Sequence, residues 1–112
     1  MKMNEYQELA SRTANTHKEE LVNYALGITG EAGEVADLVK KARFHGHSVH
    51  KETVTKELGD VLWYLSNLAR LAGVSLETVA AANIEKLKKR YPEGFSEEAS
   101  QNREEYKKGD AK

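Results

Sequence analysis

Apolar residues recur along this chain at alternating steps of four and three, the period of one face of a helix. The longest such stripe, Leu21, Ala25, Ile28, Ala32, Val35, Val39 and Ala42, predicts a helix over about residues 18–43. A second stripe, Val54, Leu58, Val61, Leu65, Leu68 and Ala72, predicts a helix that starts near Glu52 and ends at Gly73, a residue suited to a left-handed C-terminal cap. Leu76, Val79, Ala80, Ile84 and Leu87 form a third, placed behind Ser75 as N-cap and ahead of Pro92 and Gly94. Before all of these, a short amphipathic helix over about residues 5–16 turns Tyr6, Leu9, Ala10 and Thr13 inward, with Asn4 as N-cap and Gln7 completing a capping box. Residues 44–50 are broken by Gly46 and read as a connection. With Pro92 as the only proline, the expected fold is all-α: a four-helix bundle-like domain over residues 1–95, completed by oligomerisation, and a polar tail over 96–112.

The polar positions add chemistry to this frame. Glu31-Ala32-Gly33-Glu34-Val35 and Glu57-Leu58-Gly59-Asp60-Val61 stand 26 positions apart, each holding two carboxylates at i, i+3 around a glycine. On a helix that spacing puts each acidic pair on one face. A glycine inside a helix costs roughly 1 kcal/mol relative to alanine, so its presence beside both pairs points to a ligand or neighbouring backbone that needs the space. Glu31, Glu34 and Leu38 border the first long stripe, and Glu57, Asp60, Tyr64 and Asn67 border the second. Packing the stripes together therefore brings four carboxylates to a shared edge. Such groups repel and take up protons unless a hard, oxygen-seeking cation such as Mg²⁺ sits among them. A lone Glu-x-x-Glu is ordinarily a hydrated face, and the duplicated glycine is what sets these two apart.

Composition narrows the partners. The 112 residues include 17 lysines and arginines against 18 aspartates and glutamates, a balance that gives no general field for drawing in a nucleic acid polymer or an anionic membrane. A small ligand fits better. Cysteine is absent, which excludes disulfides, thiol nucleophiles and cysteine-based zinc sites. The longest strongly apolar run, residues 61–65, falls far short of the ~20 residues of a membrane span, and the polar N-terminus has no secretory apolar region. A soluble, cytoplasmic protein is expected. His45, His47 and His50 offer nitrogen ligands but stand in a loop without a fixed scaffold, whereas magnesium prefers oxygen.

The last predicted helix carries Asn83, Lys86 and Arg90 at i, i+3 and i+7, an amide, an ammonium and a guanidinium in one column suited to phosphate. Its basic residues also suit the negative end of a helix dipole, but an amide in mid-helix points to a hydrogen bond or ligand contact. Taken together, Gly30-Glu31-Ala32-Gly33-Glu34-Val35, Glu57-Leu58-Gly59-Asp60-Val61-Leu62-Trp63-Tyr64 and Asn83-Ile84-Glu85-Lys86-Leu87-Lys88-Lys89-Arg90-Tyr91-Pro92 closely resemble the MazG-like nucleotide pyrophosphohydrolases. The match runs in order and spacing over about residues 4–95. Gly30 departs from it, standing where many members have the first glutamate of a Glu-Glu-x-x-Glu motif.

The resemblance implies an all-α enzyme in which Glu31, Glu34, Glu57 and Asp60 bind Mg²⁺, with Mn²⁺ as a substitute, and a nucleoside triphosphate is cut to monophosphate and pyrophosphate as nucleotide-pool house-cleaning. It also implies a homodimer or homotetramer. The expected mechanism is that an activated water attacks the α-phosphorus and one carboxylate of the quartet takes its proton, while Lys86 and Arg90 would hold the phosphate tail and Asn83 would orient an oxygen. Trp63 and Tyr64 are candidates for a base pocket, or for core and subunit interface. Two rivals remain open at this point: a related pyrophosphohydrolase acting on a phosphoribosyl nucleotide, and a non-catalytic helical assembly module.

Overall fold

A computed structural model describes residues 1–15 and 18–103. Among these residues there are five helices, α1 (Met3–Ser11), α2 (Glu20–Phe44), α3 (Lys51–Ala72), α4 (Leu76–Arg90) and α5 (Glu97–Gln101). Among the described residues there is no β-strand, and one isolated bridge joins Pro92 and Gly94. The expected all-α class is the observed one. Thr16, the expected end of the first helix, and residues 104–112 of the expected tail lie outside the described residues. None of the described helices is long and apolar enough to cross a membrane.

The chain forms two compact units, Met1–Leu76 and a second from Glu77 onward. In the first, α1 and α2 both pack on α3. The helix α1 starts one residue before Asn4 rather than after it, because Glu5 accepts a hydrogen bond from the Lys2 N–H at 3.1 Å. It also ends at Ser11, earlier than the stripe suggests. The Ser11 hydroxyl donates to the Glu8 carbonyl at 2.6 Å and the Thr13 hydroxyl to that of Ala10 at 3.1 Å, so side chains compete with the next helical turn. Gln7, expected in the capping box, works at long range instead. Its Nε2 donates to the Val74 carbonyl at 3.0 Å and its Oε1 accepts from the Leu76 N–H at 3.1 Å, across the turn that follows α3. That turn is made by Gly73 at φ 82, the left-handed cap the sequence predicts.

The seam between α2 and α3 corrects the sequence reading. The apolar stripes are only partly covered: Leu21 is 59% exposed, Val39 61% and Leu58 51%, while Ile28, Val35, Val61 and Leu68 are half-buried. The neighbouring column does the packing, with Tyr24, Gly27 and Glu31 of α2 meeting residues around Glu57, Asp60, Tyr64 and Asn67 of α3. The cause is aromatic volume and one glycine. Tyr24 is 2% exposed, and its ring stands edge-on to Trp63 (centroids 5.3 Å, 84°) and to Tyr64 (5.8 Å, 71°). A Cβ at Gly27 would overlap the Tyr64 ring, so only glycine admits that ring against α2. At the far end, Arg70 links the helices by pairing with Glu20 at 2.9 Å and donating to Asn67 Oδ1 at 3.0 Å. Asn67, fully buried, in turn donates to the Trp63 carbonyl at 3.1 Å.

The second unit is smaller. On α4 the stripe expected to be buried is partly so: Leu76 is buried and Leu87 half-buried, but Val79, Ala80 and Ile84 are exposed. A positive-φ Gly94 turns the chain after α4, and Tyr91 packs on Phe95 with ring centroids 5.3 Å apart. The segment read as the start of a polar tail folds into α5, because Ser96 Oγ accepts from the Ala99 N–H at 3.0 Å and two glutamates occupy the first turn.

Candidate active site

Along the antiparallel pair, α2 and α3 carry the aromatic cluster in the middle and the acids beyond it. Glu31 from α2 and Glu57 and Asp60 from α3 each present a carboxylate oxygen, and these atoms all lie within 4.8 Å of one another. The i, i+3 spacing puts Glu57 and Asp60 on the same face, and the Tyr64–Gly27 contact one turn away sets how closely Glu31 approaches them. Glu31 and Glu57 are half-buried and Asp60 is exposed, so the cluster has an open side.

Like charges dominate here. Burial, then the charges of Asp60 and Glu57, hold the Glu31 carboxyl above the usual glutamate range, helped by a hydrogen bond with Asp60 and the charge of Glu34. Two carboxyl groups can hydrogen-bond only by sharing a proton, so this arrangement favours either an extra proton or a cation. Glu34 stands one turn beyond Glu31 and is exposed. Three of the four expected carboxylates thus share one point, and the fourth adds to the field from its rim. The donor set fits a hard divalent cation: all anionic oxygen, no nitrogen or sulfur, and an open face for water or phosphate.

The glycines divide differently from the expectation. Beside the acids, Gly33 and Gly59 have nothing within 4 Å of where a Cβ would stand, and the close approach occurs at Gly27 instead. A cavity of about 410 Å³ opens next to the acids, lined by Thr13, Glu31, Asp60, Trp63 and Tyr64. Trp63 and Tyr64, with ring centroids 5.0 Å apart at 80°, pack against Tyr24 and wall the cavity. From α1, Tyr6 faces the same charge: burial and then Asp60 raise its hydroxyl pKa.

The remaining candidates lie elsewhere in the chain. Asn83 and Lys86 line an open cavity of about 460 Å³ with Val79 and Ala82 on α4, while the Arg90 guanidinium lies 5.9 Å from the centroid of the Tyr91 ring. His45, His47 and His50 are exposed, and the first two rings are 6.4 Å apart. Sequence reading did not single out Tyr24, Gly27 or the cavity role of Thr13. For Thr13 a signal existed, since it shares the Tyr6 stripe at i+7. Tyr24 and Gly27 fall outside the apolar stripe and gave none.

The motifs also align with known proteins. A sequence model of the MazG nucleotide pyrophosphohydrolase domain matches residues 19–95. The chain is 38% identical over 82 residues to the Gene 37 protein of Mycobacterium phage L5, a span covering 70% of this chain and 72% of that protein. No solved structure matches it. With both acidic motifs and the basic column of α4 inside the matched span, the chain belongs to the MazG nucleotide pyrophosphohydrolase family, whose enzymes depend on divalent metal.

Proposed function

We propose that this protein hydrolyses nucleoside triphosphates to monophosphate and pyrophosphate with Mg²⁺, or Mn²⁺ in its place, as a nucleotide-pool house-cleaning enzyme. The observation that carries this reading is three carboxylate oxygens within 4.8 Å of one another at the edge of an aromatic-walled cavity. A bound divalent cation would neutralise phosphate oxygens and lower the pKa of a nearby water. Glu31, Glu57 and Asp60 would hold it, with Glu34 adding a fourth carboxylate. The water oxygen bonds to the α-phosphorus as the α–β bridging P–O bond breaks, pyrophosphate departs with the bridging oxygen, and a carboxylate takes the water's proton. Asn83, Lys86 and Arg90 are assigned to the phosphate tail by their donor chemistry. Trp63 and Tyr64 are assigned to the base.

The exposed apolar residues Leu21, Val39 and Leu58 support a homodimer or homotetramer in which another copy covers those stripes. Near-neutral charge and the lack of cysteine support a cytoplasmic protein acting on a small substrate rather than on a nucleic acid polymer or at a membrane. The functional domain is taken as residues 1–95, with 96–112 as its tail.

Pyrophosphate release from a panel of standard and damaged nucleoside triphosphates with Mg²⁺ is the test, with a phosphoribosyl nucleotide included. Release is expected from the unaltered protein and absent from Glu34→Ala and Asp60→Ala, each still assembling normally. An unaltered protein inactive on the whole panel would overturn the proposal.

A further inference from the structure

Thr13 lies two residues past the end of α1, and its hydroxyl is engaged twice. It donates to the Ala10 carbonyl at 3.1 Å and accepts from the Trp63 indole N–H at 2.7 Å. A threonine hydroxyl has one proton, so with that proton on Ala10 the oxygen faces the indole as an acceptor. The other end of the indole is held by rings: Tyr24 at 5.3 Å and 84°, and Tyr64 at 5.0 Å and 80°. Tyr24 is itself fixed, because its hydroxyl accepts from the Asn15 N–H at 3.0 Å. Trp63 is therefore constrained at both ends, while it and Thr13 line the cavity that Glu31 and Asp60 border.

We propose that Thr13 is a positioning residue that fixes Trp63 as the flat wall on which a nucleobase stacks, and so sets nucleotide affinity without touching the reacting phosphates. This deepens, and rests on, the reading of the cavity as a nucleoside triphosphate site. The indole N–H and the Thr13 proton are both committed within the protein, so neither is offered to the edge of a base. Recognition at this wall works through a ring face, which every base possesses. Loss of the Thr13 hydroxyl therefore weakens all nucleotides alike, and the chemical step is left intact.

Trp63 is the only tryptophan in the chain, so its emission reads the wall directly. Thr13→Val keeps the side-chain shape and removes the hydroxyl, whereas Thr13→Ser restores it. Without nucleotide, Thr13→Val is expected to shift the emission and increase acrylamide quenching, and Thr13→Ser to return both. Circular dichroism and the urea midpoint establish that both variants are folded. With Mg²⁺, KM and the dissociation constant from tryptophan quenching are expected to rise about five- to tenfold for ATP, GTP, CTP and UTP, the loss of one hydrogen bond, with kcat within about twofold. Emission and quenching unchanged by Thr13→Val would overturn the proposal. So would a KM rise confined to one base, which would mean that Thr13 touches the base itself, or a fall in kcat at constant KM. Nucleotide binding without pyrophosphate release would remove the proposed reaction and leave the positioning role standing. No binding of any nucleotide would remove both.

Discussion

Glutamate plays opposite parts at the two ends of the α2–α3 pair. At one end Glu20, 7% exposed, meets the Arg70 guanidinium at 2.9 Å inside a network that continues through Asn67 to the Trp63 backbone. At the other, Glu31 faces two more carboxylates from α3, and its proton affinity rises. The first arrangement satisfies a buried charge and holds the helices together. The second gathers charges that oppose folding unless something positive joins them. Between the two, the Tyr24–Trp63–Tyr64 cluster supplies the rigid contact that lets the acidic end be held close despite its repulsion.

Single substitutions and a pH series would break or sharpen this contrast. Asp60→Ala should abolish pyrophosphate release, a drop of about 100-fold or more for losing a ligand to a charge-neutralising cation, while the urea midpoint of the metal-free protein stays the same or rises. A large loss of stability would place Asp60 with the structural end instead. Arg70→Met should do the reverse. It leaves Glu20 without its partner and should cost about 2 kcal/mol in urea unfolding, less than for a fully buried pair because Arg70 is partly exposed, with kcat per folded molecule retained.

The glycines offer a smaller and more local comparison. Gly27→Ala gains helix propensity but forces a methyl into the Tyr64 ring, and overpacking should win by about 1 kcal/mol. Gly33→Ala meets nothing and should stabilise by about 0.5–1 kcal/mol in thermal or urea unfolding. If its pyrophosphate release falls at the same time, the space beside the acids belongs to the substrate or to another subunit.

The smallest effect is that of pH. Glu31 keeps its proton to a higher pH folded than unfolded, so in its window the native state binds more protons and metal-free stability falls as pH rises. Acidification from neutral should therefore raise the melting temperature until the ordinary glutamate range is reached, and Glu31→Gln should remove that slope. Asp37, held below the usual aspartate range chiefly by its hydrogen bond with Lys41, acts oppositely and at lower pH: its contribution is lost as pH falls through its depressed pKa. Added Mg²⁺ should flatten the Glu31 slope, because binding competes with the same proton.

Much of this was legible in the residues. Period and capping located α2, α3 and α4 to within a few residues, and the i, i+3 acids around glycine include the three carboxylates that lie together, Glu31, Glu57 and Asp60. The column that packs was not legible. An apolar stripe such as Leu21–Ala25–Ile28 shows that something must cover it, but not whether the cover comes from this chain or another copy. Tyr24 and Gly27 decide the matter through the shape of one ring against one missing methyl, which hydropathy does not record. The early end of α1 was equally hidden, since Ser11 and Thr13 are compatible with a helix until their hydroxyls turn back onto it.

The span shared with the MazG family begins at residue 19, after the whole of α1. Yet the amide of Gln7, from that helix, bridges the carbonyl of Val74 and the N–H of Leu76, acting as a clasp on the bend that launches α4. The limits of family likeness and the limits of the compact unit Met1–Leu76 are therefore different lines. A fragment trimmed to the recognisable family segment would carry every acidic motif and still lose the side chain that occupies the Val74 carbonyl and the Leu76 N–H after α3.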